Sequence, residues 1–325
     1  VSAREFLPPQ SSKRSYHRLL LKGDNSPSSI IVMVLPPDPF LSEESDDGGP
    51  PTELPFVSMQ RFLDERGLPV PELYGDFTTE GFLLLEDLGT ETMLNQIQSR
   101  SSLEETRKCY EKAVDLLVAF QNATRESAPN IAYSRGFDDA LLVDELHHFA
   151  EWLLREWAGV SLPRYLEQLL HQQFKDIVAE LKRYPYRLAH RDFQSTNLLA
   201  RGDGYVLIDF QDALMGPAVY YLVALLRDSY VELPYDLMEE LALRFYEAQA
   251  AELAMSVDEF MAFFHLQTLQ RKLKDAGRFI FIDQVKGNPN FLPFVPATLR
   301  YVKDALVRLP QTAPLASLIA TVFEL

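Results

Sequence analysis

The 325-residue sequence predicts an α+β fold with two lobes, a small β-rich lobe over residues 1–86 and a larger helical lobe over residues 87–325. Short apolar runs separated by turn residues dominate the first stretch, which is typical of strands joined by hairpins. Apolar residues that recur every three or four positions dominate the second stretch, which is typical of amphipathic helices. A cleft between two lobes is a natural ligand site, so we expect the functional residues to lie there.

The first lobe is predicted from local apolar patterns. Apolar runs at 19–21 and 30–35, with Gly, Asn and Pro between them, indicate a β-hairpin. Apolar positions within 54–66 favour a short amphipathic helix that ends at Gly67, and the run at 81–85 is typical of a buried strand.

A long polar loop is predicted between the hairpin and the helix. Residues 36–55 are rich in Pro, Gly, Ser and acidic residues, which favour turns. The acidic run at 43–47 has two interpretations, a metal site or a solvated loop, and charge runs more often belong to solvated surface.

Helical periodicity begins after Ser101 and continues through the second lobe. Ser101 or Ser102 can cap the first helix, and Glu104 or Glu105 would complete a capping box three residues later. Further helices are predicted at about 138–157, 163–183, 217–231, 236–253, 257–276 and 297–308.

Composition and charge limit the classes of partner. The net charge of −16 argues against a nucleic acid, because phosphate backbones select for clustered Lys and Arg. No apolar run approaches the roughly 20 residues of a membrane-spanning helix. The single cysteine, Cys109, fits a reducing compartment. We therefore expect a cytoplasmic protein, and we take a monomer or a weak homodimer as its expected state. The sequence begins at Val1 rather than at Met.

Two polar segments each follow a short apolar run that predicts a strand, at 187–189 and 205–208. The first segment contains Asp192, separated by four residues from Asn197, and the second begins at Asp209. Taken singly, these residues would be interpreted as a turn residue, a cap and the end of a strand. Their joint spacing is the one found in kinases, H-R-D with a later Asn.

Phosphoryl transfer explains why these residue types occur together. Nucleotide phosphates need a divalent cation, and Mg²⁺ prefers carboxylate and amide oxygens, which Asp209 and Asn197 can supply. Asp192 can orient an acceptor hydroxyl and accept its proton. We interpret the neighbouring His190 and Arg191 as residues that brace the loop rather than react.

Other residues carry a resemblance that runs nearly end to end. They are Ser11-Ser12, Arg14, Tyr16 and Arg18, Val32-Met33, Leu68 to Pro71, Gly81 to Gly89, Ile208 to Ala213, Gly216-Pro217, Leu225 to Val231, and Leu269 to Gly277. In these residues the chain resembles the aminoglycoside phosphotransferase and choline kinase superfamily, which shares the protein-kinase fold. Within that superfamily it is most similar to the bacterial cell-wall sugar kinases that act on N-acetylmuramate and N-acetylglucosamine.

The resemblance implies a set of roles and ligands. The ligands would be ATP, with GTP as an alternative, Mg²⁺, and an amino sugar that is phosphorylated on its anomeric hydroxyl. The catalytic base would be Asp192, and the metal ligands would be Asn197 and Asp209. The implied nucleotide contacts are Ser11, Ser12 and Arg14 near the phosphates, and the backbone of Glu86 and Leu88 at the adenine edge. Arg227 and Asp228 lie where the chain could contact the acceptor, although a salt bridge that packs that helix is an equal alternative.

Three departures from kinase patterns bear on activity. The first hairpin has no G-x-G-x-x-G, so a serine-containing turn must cradle the phosphates. Met33 stands where a phosphate-binding Lys would be expected, which leaves Lys13, Arg14 and Arg18 as candidate cations. Tyr221 stands where an Asp would be expected to brace the catalytic loop.

Two further functions remain alternatives. One is a kinase for an aminoglycoside, a choline-like amine or another hydroxylated amine, which an acidic protein could attract. The other is a nucleotide-binding pseudokinase, suggested by Met33 and Tyr221 but opposed by the complete set of Asp192, Asn197 and Asp209. A protein kinase is less favoured, because no Ala-Pro-Glu segment follows Asp209.

Overall fold

The computed structural model describes residues 1–7, 14–23, 27–40, 53–100 and 102–323. The strands are β1 (Ala3–Leu7), β2 (Ser15–Leu20), β3 (Ser29–Val34), β4 (Leu73–Phe77), β5 (Phe82–Glu86), β6 (Tyr186–Ala189), β7 (Leu198–Arg201), β8 (Gly204–Leu207) and β9 (Leu214–Pro217). The α-helices are α1 (Pro55–Asp64), α2 (Met93–Ser99), α3 (Leu103–Ala123), α4 (Ile131–Ser134), α5 (Asp139–His148), α6 (Arg164–Leu181), α7 (Tyr220–Leu226), α8 (Tyr235–Leu253), α9 (Val257–Lys286), α10 (Val295–Arg308) and α11 (Ala313–Phe323).

These elements pack into two compact units. Unit one contains Val1–Arg135 and His190–Leu214, and unit two contains Gly136–Ala189 and Met215–Leu325. Unit one therefore extends past residue 86 and includes the segment that carries the candidate catalytic residues. The predicted division at residue 86 separates β-rich from helical sequence, and it remains a prediction about lobes.

A five-stranded antiparallel sheet dominates the N-terminal part of unit one. Its strand order is β1-β2-β3-β5-β4. Along β5, residues alternate between buried and half-buried, as expected for a strand with one face against a core. The predicted hairpin, helix and buried strand are confirmed as β2–β3, α1 and β5.

The two edge strands escaped prediction because their composition is weak for strands. β1 leaves four of its five residues exposed, and β4 contains Gly75 and Asp76. The acidic run at 43–47 lies outside the described residues.

The remaining elements of unit one are α2 to α4 and the β7–β8 hairpin. The Ser102 hydroxyl caps α3 by accepting a hydrogen bond from the backbone N–H of Glu105 at 3.2 Å. This contact confirms the predicted cap and the start of the helix.

Unit two is mainly helical, and three helix predictions need correction. The helix predicted at 138–157 is α5 followed by a π-helical segment, Phe149–Trp157. The helix predicted at 217–231 shortens to α7, Tyr220–Leu226. On its N-terminal side, residues 214–217 form β9, which pairs with β6.

The helix predicted to end at residue 276 continues as α9 to Lys286. Gly277 lies within this helix and does not end it. A Cβ at this position would lie 2.1 Å from the carbonyl oxygen of His148. Its role is to let α9 approach the junction between α5 and the π-helical segment. The helix ends at Gly287, whose positive φ of 66° is typical of a helix C-terminus.

No single helix among the described residues is long and apolar enough to cross a membrane. One pair of segments, 289–308 and 310–323, passes that test only when taken together, and it is bent by 111°.

Candidate active site

The segment from His190 to Asn197 folds back on the carbonyl oxygen of Asp192. This oxygen accepts hydrogen bonds from the backbone N–H of Gln194 and from Nδ2 of Asn197, both at 2.9 Å. The second bond uses the donor end of the Asn197 amide and leaves Oδ1 as its remaining acceptor. The loop therefore holds the predicted base and one predicted metal ligand in a fixed relation.

His190 is a packing residue of this loop. It is 1% exposed and makes edge contacts with the rings of Phe120 and Phe193. Burial lowers its pKa to about 4, so the imidazole is neutral near pH 7. Arg191 is also buried and has a positive φ of 69°, an uncommon conformation for a side-chain-bearing residue. This environment fits the predicted bracing role of both residues.

Asp209 follows β8, and the carboxylates of Asp192 and Asp212 act on it. Although its side chain reaches solvent, desolvation by surrounding protein raises its pKa, and Asp192 and Asp212 add to the effect. Gln211 opposes it by donating from Nε2 to Oδ1 of Asp209 at 2.9 Å and to Oδ2 of Asp212 at 3.0 Å. The backbone N–H of Ile208 also donates to the carbonyl of Asn197 at 3.2 Å, which ties the two loops together.

The oxygens in these loops fit a magnesium ion. A carboxylate from Asp209 and an amide oxygen from Asn197 are hard ligands, and Mg²⁺ in nucleotide sites is commonly held by one or two protein groups plus phosphates and water. A cation would also offset the desolvation of Asp209 and its repulsion by Asp192 and Asp212, the effects that raise its pKa. In the described part of the chain, no group of three or more His, Cys, Asp or Glu residues could hold a metal by itself.

Arg14 is a candidate phosphate-binding cation that interacts electrostatically with Asp209. Its guanidinium is hydrogen-bonded to the side chain of Tyr16, and its positive charge acts to lower the pKa of Asp209. Burial raises the pKa of the Tyr16 hydroxyl, and Arg14 opposes that shift. Ser11, Ser12 and Lys13 lie outside the described residues.

Arg18, another candidate phosphate-binding cation, forms an ion pair with Asp87 in the segment after β5. Its Nε and Nη2 donate to the two carboxylate oxygens of Asp87 at 2.6 and 3.0 Å. Burial alone would raise the pKa of Asp87, but hydrogen bonds from Arg18, Ser29 and the Gly89 N–H hold it below its ordinary value. This pair fixes the residue between Glu86 and Leu88, the two predicted adenine contacts.

Two of the three departures from kinase patterns, Met33 and Tyr221, are buried positions. Met33 is fully buried in β3, opposite Tyr16 and Leu83. Tyr221 is fully buried in α7 of unit two. A charged side chain at either position would have to be desolvated, so the fold uses these positions for packing.

Arg227 and Asp228 are buried in unit two, and each has its own neighbours. Nη1 of Arg227 lies 3.5 Å from a carboxylate oxygen of Asp304, and Oδ1 of Asp228 accepts from the backbone N–H of Tyr230 at 3.0 Å. The structure thus gives Arg227 an ion-pair partner, Asp304, which sequence reasoning had not identified.

Sequence reasoning missed Tyr16, Gln211 and Asp212 as neighbours of Asp209. Gln211 and Asp212 stand in the quoted motif after Asp209, so adjacency could have indicated them. Tyr16 is distant in sequence, and only the folded sheet brings it near.

The sheet, the helical region and the two polar loops define a phosphotransferase with a kinase-like fold. The sequence matches the Phosphotransferase enzyme family (APH) over residues 20–264, and the chain belongs to that family. It is 33% identical to an N-acetylmuramate/N-acetylglucosamine kinase of Neisseria meningitidis serogroup B over 270 residues, 82% of this chain and 78% of that protein. It is 31% identical to the protein of the same name from Pseudomonas aeruginosa, covering 84% of this chain and 79% of that one.

Solved structures support the fold assignment. A choline/ethanolamine kinase family protein from Mesorhizobium loti aligns with a TM-score of 0.61 at 12% identity, covering 97% of this chain and 92% of that chain. An amicoumacin kinase in complex with AMP-PNP and Ca²⁺ aligns with a TM-score of 0.60 at 13% identity, covering 94% and 90%. That structural relative therefore binds an adenine nucleotide analogue together with a calcium ion.

Proposed function

We propose that this protein transfers the γ-phosphoryl group of ATP to the anomeric hydroxyl of N-acetylmuramate and N-acetylglucosamine. The observation that carries the proposal is the closed loop in which Asn197 donates to the Asp192 carbonyl, next to the Asp209 segment. Membership of the APH family supports the reaction class. The names of the curated relatives support the choice of acceptor.

Asp192 acts as the base in this proposal. Its carboxylate orients the acceptor hydroxyl and takes its proton while the acceptor oxygen bonds to the γ-phosphorus. The bond from that phosphorus to the oxygen bridging to the β-phosphate breaks, and ADP leaves with the electron pair. General-base assistance of this kind contributes about 10² to 10⁴ in rate.

Asn197 and Asp209 are the proposed ligands of Mg²⁺, which supplies charge neutralisation to the phosphates when it is bound. Arg14 is the proposed phosphate-binding cation in place of a β3 lysine, because its guanidinium lies beside Tyr16 and acts on Asp209. Ser11 and Ser12 remain proposed phosphate contacts, and Glu86 and Leu88 remain proposed adenine contacts.

The test is transfer of phosphate from Mg-ATP to each sugar, followed by phosphorus NMR. We expect a new anomeric phosphate signal, with kcat reduced about 10² to 10⁴-fold in Asp192→Asn. Asp203→Asn is the matched control, since Asp203 lies in the same unit but is exposed and paired only with Lys112 among the contacts of the described residues.

Two outcomes would contradict the proposal. Turnover of amines or other alcohols, with neither sugar phosphorylated, would keep the kinase and discard the acceptor. Magnesium-dependent ATP binding without transfer to any acceptor would instead support a pseudokinase.

A further inference from the structure

A cavity of about 420 Å³ opens on the surface of unit two, between the C-terminal end of α5, the π-helical segment and α6. All of its lining residues lie between His147 and Phe174, so the cavity is formed within one unit. Its volume falls in the range of roughly 300 to 1,000 Å³ that is typical of small-molecule sites. None of the residues that carry the proposed phosphoryl transfer contributes to it.

The inner wall of the cavity is apolar. Leu154, Leu170 and Phe174 are buried side chains that line it, and the ring of His147 meets the Phe174 ring edge-on at a centroid distance of 5.6 Å. Such a wall binds the aromatic or aliphatic part of a ligand by removing it from water. The cavity can therefore hold an apolar body.

The π-helical segment contributes Ala150, Leu154 and Arg155 to the lining. The π geometry continues to the end of the segment, where the backbone N–H of Ala158 donates to the carbonyl of Leu153 at 3.0 Å. Because i→i+5 hydrogen bonds widen the turn, residues about four and five positions apart fall on the same side of such a helix. π-helical turns are rare and frequently occur at functional sites, so this segment is an indication of ligand binding that is independent of the volume of the cavity.

Two histidines stand together in the cavity wall. Nδ1 of His171 lies 3.2 Å from Nε2 of His147, so one imidazole donates a hydrogen bond to the other. Burial and the charge of a protonated His171 lower the pKa of His147, while Asp144 and Glu151 oppose the shift, and His147 is therefore neutral near pH 7. The second ring nitrogen of each histidine has no hydrogen-bond partner among the described residues, so it can serve a polar group of a ligand.

The rim of the cavity is positively charged. With histidines counted as neutral, two arginines (Arg155 and Arg164) and one glutamate (Glu167) give the lining a formal charge of +1, in a chain of net charge −16. Arg155 lies 3.7 Å from Glu167, and exposed pairs of this kind contribute little free energy. Arg164 has no ion-pair partner within the described part of the chain. This local reversal of charge favours an anionic group over a cationic one.

We propose that this cavity binds a small organic anion, with an aromatic or branched aliphatic body against the buried wall and an anionic head group, such as a carboxylate, at Arg155 and Arg164. The ligand is distinct from the nucleotide and the acceptor, because the residues proposed for phosphoryl transfer lie outside the cavity. The proposal holds whichever acceptor the protein phosphorylates.

The experiment titrates the whole chain with anilinonaphthalenesulfonate (ANS), an aromatic anion whose fluorescence rises in an apolar site. Arg164→Gln removes charge at the rim, Ala150→Leu fills the cavity, and Lys175→Gln is the matched control, since Lys175 is an exposed cation of α6 outside the cavity. We expect saturable binding whose dissociation constant rises about 3- to 10-fold in Arg164→Gln and at least about 10-fold in Ala150→Leu. In Lys175→Gln it should change less than about 2-fold.

A second comparison uses the wild type alone and does not depend on how the variants fold. Phenylbutyrate and its uncharged carboxamide compete for the ANS site, and the carboxylate should displace ANS at a concentration about 5- to 10-fold lower. Equal displacement by the acid and the amide would overturn the preference for an anion. The absence of saturable ANS binding to the wild type, or binding unchanged in both Arg164→Gln and Ala150→Leu, would overturn the site itself. Sugar phosphorylation is not measured in either experiment, so this proposal and the proposed function fail separately.

Discussion

Arg191 and Asp209 are two side-chain-bearing residues with positive φ, 69° and 65°, in the loops that carry the proposed base and metal ligand. Such conformations cost about 1 to 3 kcal/mol each and persist where the surrounding structure enforces them. Here the hydrogen bonds of Asn197 and Gln211 supply that enforcement. The strain lies where the geometry of individual side chains matters for the reaction.

His190 makes stability depend on pH. Its folded-state pKa of about 4 lies below the ordinary histidine value near 6.5, so the unfolded chain binds a proton that the folded chain does not over the interval between them. Stability should therefore fall as pH falls from 6.5, by about 2 kcal/mol from this residue at pH 5.

The measurement is urea unfolding of wild type and His190→Phe at pH 7 and pH 5. We expect the free-energy difference between the two proteins to shift by about 2 kcal/mol in favour of the variant at pH 5. A difference that is the same at both pH values would mean that His190 is not held neutral in the folded protein.

At the level of elements, α9 and the π-helical segment are in unusually close contact. Gly277 is the residue that permits this contact, since any Cβ would meet the backbone of His148 and Phe149 at 2.1 to 2.6 Å. Backbone atoms cannot move aside as a flexible side chain can. The π-helical segment has i→i+5 hydrogen bonds rather than the i→i+4 bonds of an α-helix. It begins beside Gly277 of α9, at a contact that leaves no room for a side chain.

Gly277→Ala should destabilise the protein by about 2 to 3 kcal/mol through overpacking. Gly287→Ala, at the residue that caps the C-terminus of the same helix, is the matched control. It meets no atom within 4 Å and should lose only about 1 kcal/mol from its positive φ. Urea midpoints of both variants test this, and equal losses would show that α9 shifts freely.

Local sequence patterns predicted those helices and strands whose apolar pattern is contained in consecutive residues, such as α1 and β5. The candidate set of Asp192, Asn197 and Asp209 could be proposed from sequence because phosphoryl transfer restricts both residue type and spacing. The helix predicted at 257–276 was too short, and a glycine such as Gly277 that admits a neighbouring element looks the same in sequence as one that ends a helix. The Arg18–Asp87 pair joins residues 69 positions apart, and one sequence contains no information about such a contact.

At the level of the whole molecule, the net charge of −16 is the dominant electrostatic feature. A net charge of this size destabilises the compact state through repulsion between like charges. The net charge vanishes near the isoelectric point of about 4.8.

Salt should therefore stabilise the protein at pH 7. Raising NaCl from 0.01 to 0.15 M shortens the screening length from about 30 to about 8 Å, so the urea midpoint should rise. The control is the same titration at pH 5, where the salt response should be small. A midpoint that falls with salt at pH 7 would mean that surface ion pairs outweigh the repulsion.

The interleaving of the two units has a consequence for synthesis on the ribosome. The chain leaves unit one at Arg135, builds a first part of unit two, returns at His190, and leaves again after Leu214. The sheet of unit one can form early, but the unit gains the segment with the candidate catalytic residues only 54 residues after the chain has left it. Neither unit is complete until Leu214 has been synthesised, so the helices of 136–189 emerge before their partners in Met215–Leu325 and are exposed to aggregation during that interval.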